Sequence, residues 1–545
     1  MHAPSFSTRP RVLAAFAVPA LALALAACGS QAADPATTPS SSGEPVAGGE
    51  LTFAIGNDPI SLNPSGTGSG NDTWYVTRQL VDSLLWQDPA DGTLHPWLAT
   101  GWTANADATS FTFTLRDDVT FSDGTPLTAQ SVKSTFDDAI AAGALSQAAP
   151  LLAGYDQSVA VDEHTVEVRF SRPNAAFPQA ASSVTLGILG EATFAVPFAD
   201  RASGEAVVAS GPFVLDHYAK DVETVLTARE DYAWGPDGRE NTGAAHLEGV
   251  TFQVLPEAGV RTGSLTSEQV DVAGGIAPSD VPGVRDAGLG LVTRANPGIV
   301  FGLSFNGAST LGADPAVREA VSLAIDRDVV RDTALTEDFA VATSVLSHTT
   351  PGAVDLSEDI TTDADAAVEV LEDAGWAREG DGLFAKDGAP LELEVVWISN
   401  FGPNQTSLEL IQQQLKDVGI GVNLWSGTVP EFTERLKAGQ FDAAWGNLSR
   451  ADGDVLRTQY SSAATNYYRV DDPELEALLQ EQLTVADPAA RTEVVAQVQE
   501  RLLATHAQVP VHELTTVVGT LTDVHGVELG ADSRLDQLTS AWLDR

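Results

Sequence analysis

Apolar side chains alternate along Ser110–Leu115, with Phe111, Phe113 and Leu115 on one face and threonines opposite, and then return every fourth position at Val132, Phe136 and Ile140. A period of two is that of a strand and a period near 3.6 that of a helix. The spacing therefore predicts a half-buried strand pair over residues 110–124, followed by a helix that Pro126-Leu127-Thr128 opens with Thr128 as its cap. Upstream, Val76, Leu80, Leu84 and Leu85 mark another helix, closed by the turn Asp88-Pro89-Ala90-Asp91-Gly92.

The later half changes rhythm. Leu391, Leu393 and Val395 alternate; Leu408, Ile411, Leu415 and Val418 form a helical stripe stopped by Gly419; Ile420, Val422 and Leu424 alternate again. Residues 431–437 then read as helix and 441–445 as strand. This order predicts right-handed crossovers and a mainly parallel sheet covered by helices. Such sheets bind ligands beyond the carboxyl ends of their strands, where residues 397–402 and 445–454 fall. Two further helices open on Asp314-Pro315 and Asp487-Pro488, a cap followed by an N1 proline. The first carries Val317, Val321, Ala324, Ile325 and Val329 on one face, the second Val494, Val498 and Leu502. No repeat of 20–50 residues is present, which argues against a solenoid or propeller.

Composition narrows the function. The chain has 75 acidic and 29 basic side chains, a net charge of −46 that repels phosphate backbones and excludes nucleic acid as a partner. It does not identify a ligand. The sequence lacks G-x-S-x-G, P-loop and H-E-x-x-H patterns, and its nine histidines are scattered. His506 and His512 stand six apart, off the i, i+4 spacing that puts two imidazoles on one helical face. No catalytic residue, metal site or cofactor is assigned.

Cys28 is the only cysteine of the 545 residues, and it closes Leu25-Ala26-Ala27-Cys28 after an apolar run that starts behind Arg9 and Arg11. A positive start, an apolar stretch and small residues before the cysteine form an export signal. The pattern resembles the bacterial lipoprotein lipobox, which implies cleavage after residue 27 and acylation of Cys28 on the outer face of the cell membrane. Residues 28–48 follow as a Gly-, Ser-, Thr- and Pro-rich tether, spanning on the order of 25 Å as a coil. Beyond the anchor no apolar stretch reaches the length of a membrane span, so a soluble body is expected.

The runs at 96–102 (PWLATGW) and 111–129 (FTFTLRDDVTFSDGTPLTA) resemble the signature of the family 5 extracellular solute-binding proteins, the peptide- and nickel-binding components of ABC importers. The resemblance continues at 210–213 (SGPF), 231–235 (DYAWG), 265–273 (LTSEQVDVA), Phe305-Asn306, 317–327 (VREAVSLAIDR) and 374–376 (AGW). It implies an α/β, two-lobed periplasmic-binding-protein-like fold, type II and cluster C-like, with an extra inserted domain and a two-strand hinge near Arg294 and Val511. Lobe one would combine 46–71, 206–288 and 515–545 with an inserted domain at 72–205, and lobe two would be 289–514. The function implied is non-enzymatic: a monomer captures a peptide between its lobes and delivers it to ABC permease subunits served by separate ATPase subunits. A nickel-chelate or other small-solute carrier and a ligand-sensing lipoprotein are the alternatives.

The chain departs from relatives in two places. Ser131 stands where they carry an acid in the first helical turn. Peptide binders read roughly Trp-x-x-Asp-Tyr-x-Asp-Pro where this chain reads WGNLSRADGDV over 445–455. Asp452 or Asp454 would supply the acid that meets a peptide ammonium, or else would cap a helix. Asn447 and Arg450 of that loop join them as ligand-binding candidates, with Trp397, Trp445 and Tyr75 as flat amphipathic contacts. Asn57 belongs to a turn-rich loop suited to a cleft wall, and Asn306 either orients the hinge or faces the cleft.

Overall fold

The computed structural model describes residues 43–66, 70–380 and 382–545. The expected export signal and Cys28 lie outside them. Residues 43–49, the far end of the predicted tether, are irregular and largely exposed, and meet the body where the Gly48 N–H donates to the His246 carbonyl at 2.7 Å.

Two sheets build the two lobes. In the first, of seven strands, Glu50–Ile55 lies parallel to both Gly249–Val254 and Val272–Gly274. Beyond Gly249–Val254 the ladder runs antiparallel through Glu223–Ala228 to Phe213–Ala219; beyond Val272–Gly274 it runs through Thr515–Thr520 to Gly290–Ala295. Leu51, Phe53 and Ile55 are wholly buried, as a central strand covered on its faces requires. The second sheet has the order Gly421–Gly427, Glu392–Ile398, Ala443–Ser449, Gly298–Phe305, Gln508–His512. Its first two pairings are parallel, as the strand–helix–strand rhythm predicts. The last two are antiparallel, so the sheet is mixed rather than mainly parallel. The reason is topological: Gly298–Phe305 enters from the first lobe and Gln508–His512 leads back out to it, so the entering strand runs against both of its neighbours.

Those two strands carry the chain between the lobes, at Asn296-Pro297 and at Glu513-Leu514. The crossings are tied together, since Asn296 N–H donates to the Leu514 carbonyl at 2.7 Å and Thr516 Oγ1 to Asn296 Oδ1 at 3.0 Å.

A third sheet, antiparallel in the order Ala99–Ala104, Ser110–Leu115, Thr165–Phe170, Tyr155–Ala160, sits on the helix Ala129–Ala142. Phe177 lies at its centre, with ring centroids 5.1 Å from Phe111 and 4.8 Å from Phe170. The strand pair predicted over 110–124 is only half present. Residues 116–124 leave the ladder through a turn, and Val119 and Phe121 are buried as loop side chains. Thr128 caps the helix as predicted, and its box is completed by Ser131, whose hydroxyl accepts from the Thr128 N–H at 3.3 Å. The buried stripe is Val132, Thr135, Phe136 and Ala139, while Ile140 is 37% exposed, because a 3.6-residue turn drifts off a strict four-residue spacing.

Two other helices end sooner than their apolar patterns suggest. The helix Asn71–Leu80 stops as Val81 turns extended, so Leu84 and Leu85 reach the core from beyond it. The helix Pro315–Ala324, capped by Asp314, breaks at Ile325; Asp326 caps a second helix, Arg327–Ala334, on which Val329 is 45% exposed. By contrast the helices Pro403–Asp417 and Pro488–Ala504 fall where their stripes place them.

Candidate functional site

Where the third sheet faces the second lobe, the structure encloses a cavity of about 500 Å³, a size suited to a small ligand. Leu94, Trp102 and Phe111 line one side, and Pro351, Arg491 and Val495 the other. A narrower cavity of about 60 Å³ adjoins it, lined by Trp74, Arg78, Trp86, Asp532 and Arg534. Gln87 and Gln179 line both, so the two form one trough. Another groove, of about 510 Å³, is lined by the first-sheet strand Phe213–Ala219 and by residues 122–123 and 204–209, and by none of the second lobe.

Three contacts close the trough. Gln87 Nε2 donates to the Ala451 carbonyl at 3.0 Å, and the Ala175 N–H donates to the Leu483 carbonyl at 3.0 Å. The turn at Asp88–Gly92 joins the short antiparallel strands Leu85–Gln87 and Leu94–Pro96 and does not close a helix; within it Gly92, at φ +77°, lies so close to the second lobe that a Cβ would come within 2.4 Å of the Pro351 ring. Beside the crossings, Phe401 packs on both lobe cores, with Phe301 stacked on it at 5.7 Å and on Trp445 at 5.6 Å.

Of the predicted site residues, Asp452 alone lines this trough. It is 4% exposed and receives both Nη atoms of Arg491, at 2.8 and 2.5 Å. Burial pushes its pKa up, but the Arg491 guanidinium outweighs this and holds the carboxyl below the usual carboxylate range. Asp454 is equally committed: Arg457 donates to it at 2.6 and 2.8 Å, Gln482 Nε2 at 2.5 Å, and Arg450 stands 3.7 Å away. Asp454 precedes the helix Val455–Tyr460 without a side-chain cap bond. Asn447 is half-buried on the strand Ala443–Ser449.

The aromatic candidates lie in the cores. Trp445 is 1% exposed and donates through Nε1 to Asn404 Oδ1 at 2.9 Å. Trp397 belongs to the second-lobe core, and Tyr75 meets Phe53 edge-on in the first. Asn306 is buried at the end of Gly298–Phe305 away from the crossing, where Nδ2 donates to the Phe441 carbonyl at 2.9 Å. Asn57 is exposed and donates to Asp72 through its N–H and Nδ2 at 2.9 and 2.8 Å.

Apart from Asp452, sequence reading passes over the polar residues that line the trough, although a signal for two lining residues exists. The stripe Tyr75, Val76, Gln79, Leu80 fixes the buried face of its helix and leaves Trp74 and Arg78, an i, i+4 pair, looking out of it. The Arg534 guanidinium covers the Trp74 ring at 3.9 Å, and Arg78 stands over Trp97 at 5.3 Å. Gln87, Gln179 and Arg491 carry no such pattern. Among the described residues no group of His, Cys, Asp or Glu is arranged to hold a metal ion, and no helix is long and apolar enough to cross a membrane.

Residues 93–467 match the family model of bacterial extracellular solute-binding proteins, family 5. The chain is 26% identical over 413 residues to the nickel-binding periplasmic protein of Escherichia coli K12, covering 72% of this chain and 75% of that protein. It is 23% identical over 518 residues to the dipeptide-binding protein of Pseudomonas aeruginosa PAO1, covering 90% and 94%. Among solved structures, the ABC transporter substrate-binding protein CtaP of Listeria monocytogenes superposes with a TM-score of 0.79 at 22% identity, over 92% of this chain and all of that one. NikA of Brucella suis in complex with Fe(III)-EDTA gives the same score and identity, over 91% and 100%. Two lobes joined by a pair of crossing strands, together with a family match across most of the body, place this chain in the family 5 bacterial extracellular solute-binding proteins.

Proposed function

We propose that the protein, anchored through an acylated Cys28 on the outer face of the cell membrane, captures a peptide between its lobes and delivers it unchanged to an ABC permease powered by separate ATPase subunits. The observation that carries this reading is the trough itself, a ligand-sized space whose walls come from both lobes and whose rim is fastened across them. An extended peptide there gains affinity through main-chain hydrogen bonds, and bridging waters tolerate varied side chains. Closure changes the outline that a permease meets, which converts occupancy into a signal for delivery.

One observation favours a second reading, a metal-chelate or other small-solute carrier. Arginines hold both acids of the 445–454 loop, so neither stands free to meet a peptide ammonium. Calorimetry on the purified chain, with a pool of di- to pentapeptides in one arm and nickel–citrate in the other, separates the two. Saturable binding of the peptide pool is expected. Binding of the chelate with none of the peptides would replace the first reading by the second.

A further inference from the structure

We infer that Arg294, at the crossing between the lobes, is a binding residue for a carboxylate group of the captured solute. The inference rests on the proposed capture between lobes and adds to it the chemistry of the recognised group.

Arg294 is the penultimate residue of the strand Gly290–Ala295, two residues before the first crossing at Asn296. Among the described residues it is the one arginine that is not solvent-exposed and yet has neither a side-chain hydrogen bond nor an ion pair; its Nε is shielded from solvent without an acceptor. This is unusual in a chain with 75 acids for 29 bases, where chance alone supplies counter-charges. The acids whose fields reach it are otherwise engaged. Asp532 accepts from Arg534 Nη1 at 3.3 Å and from the Arg534 N–H at 3.1 Å. Asp88 accepts from the Ala90 N–H at 2.7 Å and faces His95 at 3.9 Å. Burial lowers the Arg294 pKa, and the fields of Asp532 and Asp88 do not offset it.

Ser533 Oγ donates to the Ala295 carbonyl at 2.6 Å, and its neighbour Asp532 lines the narrow arm of the trough, so the strand end that carries Arg294 lies against the segment that walls the proposed solute path. A neighbouring imidazole, His348, adds donor capacity: Glu513 holds its Nδ1 at 2.7 Å and raises its pKa. A half-buried guanidinium with no partner costs free energy that an anion would recover, and its planar fork matches a carboxylate. Set at the crossing, the bond would form only where the two lobes meet.

Three probes test the site by calorimetry on the full chain: synthetic tripeptides with free carboxyl ends, the same tripeptides as C-terminal amides, and citrate. The wild type is expected to bind the free acids on the order of 100-fold more tightly than the amides, the worth of a bidentate charged pair. Arg294→Gln should erase that difference, Arg294→Lys should restore part of it, and the exposed Arg172→Gln should leave it intact. In the ligand-free protein Arg294→Gln should raise the thermal midpoint, because it removes an uncompensated charge. Citrate binding that depends on Arg294, with no peptide bound, would keep the site and end the peptide reading. Amides that bind as tightly as acids, or full affinity in Arg294→Gln, would end the site and keep the peptide reading. A lowered midpoint in Arg294→Gln would show that Asp532 and Asp88 already neutralise the charge, and would overturn the inference, as would a wild type that binds none of the three probes.

Discussion

The Asp452–Arg491 pair joins the loop after the strand Ala443–Ser449 to the first turn of the helix Pro488–Ala504, and it does so in the wall of the trough. Two bonds in the guanidinium plane fix the loop more firmly than a monodentate contact would. With the carboxylate 4% exposed, removal of the cation leaves a buried charge without a partner. Arg491→Met is therefore expected to lower unfolding stability by about 3–5 kcal/mol, and the double variant with Asp452→Leu to recover most of the loss. Urea denaturation of the two variants checks this; a single variant within about 1 kcal/mol of wild type would show the pair to be dispensable. The depressed Asp452 pKa fixes the sign with pH. A carboxyl that titrates lower in the folded state contributes stability above its unfolded pKa and loses it as acid protonates it through the folded one, so the Arg491→Met deficit should shrink on acidification.

At the scale of elements, the cap of Ala129–Ala142 shows a serine completing a capping box. Ser131 at N3 reaches back to the Thr128 N–H as an acid would, through a shorter side chain and at 2% exposure. Ser131→Ala should cost about 1 kcal/mol in thermal or chemical unfolding, as loss of a cap bond does. A change below about 0.3 kcal/mol would mean that Thr128 caps alone. Helices of this kind were legible because their signals are local: Asp314-Pro315, Asp487-Pro488 and Thr128 each declare a start, and the structure keeps all three. Their ends were less so, since Val329 and Leu84 continue an apolar spacing after the backbone has already turned at Ile325 and Val81. The site was harder still. Trp445 and Tyr75 lie within the strand Ala443–Ser449 and the helix Asn71–Leu80 and fill cores, whereas Gln87, Gln179 and Arg491 come together from segments far apart in the chain, a placement that no local spacing encodes.

For the molecule as a whole, closure depends on a small number of groups, which makes it open to measurement. Besides the two crossings, the packing around Phe401 and the Arg285 ion pairs to Glu337 and Asp338, the lobes are joined by the Gln87 and Ala175 hydrogen bonds and by the seat of Gly92 on Pro351. Gln87 is tied on three sides: it accepts from Gln179 at 3.2 Å, donates within its own hairpin to the Gly92 carbonyl at 3.2 Å, and reaches the second lobe at Ala451, next to the Asp452–Arg491 pair. Gln87→Leu keeps the side-chain volume near its original value but ends the bond across the lobes. A net hydrogen bond of about 0.5–1.5 kcal/mol shifts an open–closed equilibrium by roughly 2- to 10-fold. Solute affinity should fall by the same factor, because only the closed-competent fraction binds tightly. Small-angle scattering of the ligand-free variant should report a more extended particle than wild type, while its urea midpoint stays near the parent value, since neither lobe core is touched. Superposable scattering curves with unchanged affinity would show that the rim follows closure and does not help to hold it.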